Sequence, residues 1–291
     1  MYDSVFMNCF GSNIFDTLGV LESMKSELRK TVIYNCLGSS SLLVFFKILG
    51  FTYQQTFDYL KTLDLSHTFI NGYFVIPEDE EVKKDLIRSW LVEKMEINNL
   101  ISEDNSLEEI YKLTKIFPNF IVWSKKNNSL VRLNPKLTPA MKLIDCVLAT
   151  LTGVGTFVDH TTDDEIFSNY ISGNLYPIEL EFKLQKRELK TLFIAHRSRY
   201  FFQDMNNTES PFMIVENELL NQFIDSNNSI IDKLELENFL IVYEDIYKKS
   251  FNDLKRQFSF ENGKQQGLNF KIGDCNLTYY NLRKTEIENQ K

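Results

Sequence analysis

The sequence predicts an α/β fold: a three-layer α/β/α sandwich with a mainly parallel central sheet. Two observations carry this. Short apolar or β-branched runs alternate with helix-period segments through the first half, and consecutive parallel strands need crossover helices of that kind. The second is the stretch TVIYNCLGSSSLLVFFKILGFTYQQTFDYLKTLDL, from Thr31 to Leu65. In it Val32, Ile33 and Tyr34 run into a small-residue turn, Gly38-Ser39-Ser40-Ser41. An apolar helix follows from Leu42 to Leu49, stopped by Gly50. This is the local form of a nucleophile elbow, in which a strand turns sharply into a helix with a hydroxyl at the apex. The head of such a helix presents unpaired N–H groups and the positive end of a dipole to an anion.

The remaining elements follow from period and punctuation. Val5 to Phe10 is a short strand ending at Gly11-Ser12-Asn13. Ile14, Leu18, Leu21, Met24 and Leu28 recur in steps of three and four, so a helix is predicted from Ile14 to Lys30. Tyr53 to Leu63 and Asp79 to Met95 are further helices, the latter opening on acidic residues that suit a helix dipole. Ser106 and Glu109 form a capping box for a helix through Leu113. Phe120–Ser124 and Ser129–Leu133 form a hairpin around the turn Lys125 to Asn128. Thr138-Pro139 caps a helix over Ala140–Thr150. Tyr170 to Pro177 holds a short strand and a turn, and Leu192 to His196 another strand. Met213–Leu234 and Leu236–Phe258 are predicted as two long amphipathic helices. No repeat or Pro/Gly-rich linker divides the chain, so residues 1–262 are predicted as one domain and 263–291 as a polar tail.

Composition narrows the function classes. Hydrophobic residues make up 43% and charged residues 25%, the balance of an ordinary globule. A net charge of −8 without a dense Lys/Arg stripe argues against nucleic acid, the single basic cluster being Lys183–Lys190. No apolar run reaches the ~20 residues of a membrane helix, and no basic-then-apolar leader opens the chain. Cys9, Cys36, Cys146 and Cys275 are scattered without CxxC spacing, which predicts reduced thiols and a cytoplasmic setting. Neither a metal nor another cofactor is predicted, since the histidines and cysteines lack ligand spacing. The low Gly and Pro content with many Phe, Asn, Ile and Lys suggests an A/T-rich coding genome, as in a large DNA virus or a protist. The host-cell cytoplasm or a virion would then be its place.

Collinear pieces over Phe6 to Phe258 resemble the patatin-like phospholipase family. Leu18-Gly19-Val20-Leu21 stands where that family has a similar stretch, and Leu49-Gly50-Phe51-Thr52-Tyr53-Gln54-Gln55 resembles its L-G-Y-T segment after the elbow helix. Gly153-Val154, Tyr170-Ile171-Ser172-Gly173 and Tyr176-Pro177-Ile178-Glu179 follow in the family's order. The resemblance implies acyl-ester hydrolysis by a serine–aspartate dyad with oxyanion donors from a Gly-rich loop. It places the nucleophile on Ser40, the elbow's first glycine on Gly38, the aspartate on Ser172 and the loop on Cys9 to Asn13, with Gly11 and Ser12 as its remnant. A serine hydroxyl at 172 is too weakly basic to act as general base. Leu42 replaces the closing elbow glycine, and side chains on the loop restrict its donor conformations.

Other roles stay open for each residue. For Ser40 the commoner role of a serine at this point is that of a helix N-cap. Asp159, Asp163 or Asp164 would supply a replacement base from a neighbouring loop, or would be solvated turn residues. His160 or His196 would pair with Ser40 in a serine–histidine arrangement, and His67 would cap a helix end. The degenerate set favours a patatin-like protein without catalysis that binds a protein partner or a copy of itself. The alternative is a lipid acyl hydrolase using Ser40 with a rearranged base. A third reading is a lipid or acyl-chain binder, its pocket lined by Phe45-Phe46 and Phe57 to Tyr59.

Overall fold

The computed structural model describes residues 1–9, 13–62, 69–70, 73–74, 80–151, 170–172, 190–199, 239–245 and 253–271. Its elements begin β1 (Ser4–Cys9), α1 (Ile14–Ser23), β2 (Ile33–Gly38), α2 (Ser40–Ile48) and α3 (Tyr53–Thr62). Then come β3 (Phe69–Ile70), β4 (Tyr73–Phe74), α4 (Glu80–Glu96), α5 (Leu107–Thr114), β5 (Phe117–Ser124) and β6 (Ser129–Leu133). The last are α6 (Leu143–Leu151), β7 (Tyr170–Ser172), β8 (Thr191–Arg199), β9 (Phe239–Asp245) and α7 (Asp253–Lys271).

One mixed sheet of seven strands runs in the order β6-β5-β2-β1-β8-β9, with β7 also paired to β5. Four pairings, β2 with β5, β1 with β2, β1 with β8 and β8 with β9, are parallel. Within this sheet β6 and β7 pair antiparallel, both with β5, and β3 and β4 form a separate antiparallel pair. The sequence of β1, SVFMNC, has no polar alternation because a parallel strand is covered on both faces. Val5, Met7, Tyr34, Cys36, Phe120 and Ile194 turn one face into a common core with the helices. The opposite face is buried as well, at Phe6, Leu37, Ile121 and Phe193. The sheet is thus the middle layer, as the α/β/α prediction required.

Four predicted elements differ. α1 stops at Ser23, and residues 24–30 continue as turns that keep Met24 and Leu28 buried. α6 starts at Leu143, three residues late, because the preceding segment is docked on the head of α5. There Leu107 N–H donates to the Met141 carbonyl at 2.9 Å and Glu108 N–H to that of Pro139 at 3.1 Å. The predicted helix Leu236–Phe258 is overturned in its first part: Phe239–Asp245 is a strand parallel to β8, with Leu240 and Val242 fully buried. The last difference is that residue 263 does not open a tail. It lies inside α7, which packs tightly along α1. The predicted helix Met213–Leu234 lies outside the described residues.

Glycines explain the α1–α7 contact. A Cβ on Gly19 would come closer than 3.0 Å to the Phe260 carbonyl oxygen, and one on Gly263 would overlap the Asp16 carbonyl in the same way. Backbone meets backbone here because no side chain intervenes. Around the crossing, Asn262 donates to the Asp16 carboxylate at 2.7 Å, Arg256 to the Lys61 carbonyl, and Lys271 pairs with Glu27 at 2.9 Å.

Candidate functional site

The elbow lies at the carboxyl edge of the sheet, where β2 turns into α2. Gly38, the last residue of β2, has φ of 59°. That left-handed conformation costs residues with side chains ~1–3 kcal/mol. Ser39 is already helical, at φ −63° and ψ −15°, and heads α2 without a side-chain cap bond. In a nucleophile elbow the serine itself occupies the strained strand-to-helix point. Here a glycine occupies it, and Ser40 stands two residues further on, inside the helix.

Ser40 is 0% exposed. Its hydroxyl donates to two backbone carbonyls, that of Leu37 at 2.7 Å and that of Met7 at 3.1 Å. Neither acceptor is a base at neutral pH, and among the described residues no carboxylate or imidazole bonds Ser40. Its N-cap role is not observed either, since Ser39 is the cap. The hydroxyl instead ties the first turn of α2 to the ends of β1 and β2.

Ser172 is brought to the same corner. On β5, Phe120 stands opposite Cys36 of β2, and Val122 opposite Ser172 of β7. β6 takes the other edge of β5 over these residues, so β7 occupies the edge that β2 leaves when it turns into α2. Ser172 therefore lies two residues along β5 from Cys36, roughly 7 Å at ~3.3 Å per residue. The corner where the family resemblance places nucleophile and base thus holds Gly38, Ser40 and Ser172. Gly11 and Ser12 lie outside the described residues. So do His67, Asp159, His160, Asp163 and Asp164.

His196 has a different place from the one its pairing with Ser40 would require. Its Nε2 lies 2.7 Å from Thr17 Oγ1, which in turn lies 3.0 Å from Cys9 Sγ. All three side chains are buried, and they link β8, α1 and β1 one strand away from the elbow. Nothing in the sequence spacing announces this link, because residues 17 and 196 are far apart in the chain. Cys9, Cys36 and Cys146 are buried thiols outside any disulfide, and burial pushes those of Cys36 and Cys146 well up. Such thiols are unreactive at neutral pH. Among the described residues no group of three His, Cys, Asp or Glu side chains is placed to hold a metal ion.

The aromatic pairs raised for acyl binding belong to the core. The Phe46 ring packs against Phe45, Tyr59 and Trp90, with centroids 5.5, 5.9 and 5.7 Å away. Phe57 packs on Phe15 and Phe260 at 5.8 and 4.7 Å. Two buried polar atoms near the elbow, Asn8 Oδ1 and Ser41 Oγ, have no hydrogen-bond partner among the described residues. Among the same residues no helix is long and apolar enough to cross a membrane.

No protein-family model matches the chain, and no curated protein sequence matches it. Solved structures do. VipD from Legionella pneumophila aligns over 92% of this chain and 66% of its own, with a TM-score of 0.54 and 10% identity. The type III effector ExoU aligns over 92% of this chain and 52% of its own, with a TM-score of 0.47 and 11% identity. The heterodimeric ExoU–SpcU complex of Pseudomonas aeruginosa gives a TM-score of 0.43 at 10% identity, over 91% of this chain and 50% of that one. The chain therefore spans about two-thirds of VipD and about half of ExoU. The likeness to VipD is one of fold, and it supports the distant patatin-like fold that the collinear segments implied.

Proposed function

We propose that this chain is a patatin-like scaffold without ester hydrolysis, retained to bind another protein. The observation that carries the reading is the Ser40 hydroxyl, 0% exposed and held by the carbonyls of Leu37 and Met7. A serine nucleophile needs a base within about 2.6–3.2 Å and an open approach for the acyl carbon. Gly38 at the strained point supports the same reading, as does a serine at 172, where the family resemblance puts the aspartate. A source such as a large DNA virus fits the composition, with the host cytoplasm or the virion as its setting.

The alternative is a lipid acyl hydrolase using Ser40 with a base from residues 159–164. It requires the α2 turn to open and free the hydroxyl. Hydrolysis of p-nitrophenyl acyl esters and of phospholipid, by wild type and Ser40→Ala side by side, separates the two. The scaffold reading expects equal background rates. Wild-type turnover lost in Ser40→Ala establishes the hydrolase.

A further inference from the structure

We propose that the outer edge of β6 and the hollow beside it bind an extended, acidic and apolar segment of a partner protein. This names the partner class of the scaffold reading and rests on it.

β6 ends the sheet: among the described residues it pairs with β5 and with nothing else. An end strand presents a row of backbone N–H and C=O groups to which an extended peptide can add as a further strand. Beside this strand lies an open hollow of about 450 Å³, its wall made by Leu130, Val131, Leu133, Leu137 and Tyr170, with Asn127, Arg132 and Thr138 as its polar part. Leu137 is 64% exposed. An aliphatic side chain of an added strand would reach this wall, since strands sit ~4.7–4.9 Å apart.

Charge selects the occupant. Between Glu109 and Asp145 the sequence contains no acidic residue and seven basic ones, in a chain of net charge −8. Lys112 pairs with Glu108 at 2.7 Å and Lys142 with Asp104 at 2.7 Å. Lys125, Lys126, Arg132 and Lys136 surround β6, in its turn, on the strand and just beyond it. Edge strands are often guarded by charge against aggregation. Guarding accounts for Arg132 but not for the aliphatic wall of the hollow, which includes the exposed Leu137. A segment alternating carboxylates with aliphatic or aromatic residues satisfies backbone, hollow and charge together.

The test uses the full chain and fluorescein-labelled ten-residue peptides in which Glu alternates with Val, Ile or Phe. Each peptide is made with a free backbone, with alternate N-methylation in either register, and with Lys in place of Glu. Fluorescence anisotropy should show the free-backbone Glu peptides binding. One N-methylated register, Arg132→Glu and Leu137→Asp should each weaken binding at least tenfold, and the Lys peptides should not bind. Position 137 is exposed and position 132 half-buried, so circular dichroism should show both variants folded. Equal binding of both N-methylated registers, equal binding of Lys peptides, or no peptide binding overturns the proposal. So does binding confined to phosphatidylserine vesicles, which would mark a membrane-facing basic patch. Ester turnover by the wild type would instead overturn the scaffold reading, whatever the peptides do.

Discussion

The Ser40 hydroxyl donates to the Met7 carbonyl on the neighbouring strand at 3.1 Å, while also donating to Leu37 at 2.7 Å. One proton is shared between the carboxyl ends of β1 and β2, and the serine becomes a joint of the scaffold. Ser40→Ala should therefore cost stability. Buried hydrogen bonds contribute about 1 kcal/mol each in net terms. A urea midpoint lowered to that extent, with an unchanged slope, is the expected result. An unchanged midpoint would mean that the hydroxyl has another occupation.

The α1–α7 crossing gives a second prediction. Because a Cβ at Gly263 would overlap the Asp16 backbone, Gly263→Ala should destabilise by about 3 kcal/mol, the upper end of overpacking costs. A chain ending at residue 262 loses half of α7 and should melt well below the intact protein. Thermal melts followed by circular dichroism measure both. A truncated chain as stable as the whole would show that residues 263–271 are dispensable.

Alkaline stability tests a third point. The Tyr34 hydroxyl is buried without a partner among the described residues, and burial, with Tyr53 beside it, raises its pKa strongly. Burial, with Glu22 adding, pushes Tyr53 up to about 12 from 10.0. In the unfolded chain both ionise near 10, so above that pH the unfolded state holds fewer protons than the native one. Stability should be level in tyrosine terms below pH ~10 and fall between ~10 and ~12. Tyr34→Phe should make that fall shallower and add about 1 kcal/mol at neutral pH, since it removes an unsatisfied buried group. Urea titrations from pH 7 to 11 check both parts. A loss of stability at pH 7 would reveal a partner for the hydroxyl.

What the sequence made legible is local. The strand–turn–helix around Gly38 announces itself because glycine and serine sit together between two apolar runs. Both arms of the Ser106–Glu109 capping box are present, and the hairpin turns where Lys125 to Asn128 indicated, with Asn128 at φ 49°. β9 reads as helix in the sequence because its apolar run FLIVY shows no polar alternation and fits a helix period as well. α7 is predicted only as far as Phe258 because Gly263 and Gly267 lower helix propensity. Their spacing of four was the available signal, and its meaning depends on Gly19 arriving from the other end of the chain. At the site, the position of Ser40 was readable but its partners were not. Backbone carbonyls carry no mark in the sequence, and the Cys9–Thr17–His196 link joins two ends of the chain.

The most direct measurement is mass spectrometry of the purified chain after exposure to a fluorophosphonate, which forms a stable adduct only with an activated serine. Ser40 should stay unmodified, with a labelling yield identical in wild type and Ser40→Ala. A stoichiometric adduct on the peptide containing Ser40, absent from the Ser40→Ala protein, would contradict it and make the chain a serine hydrolase.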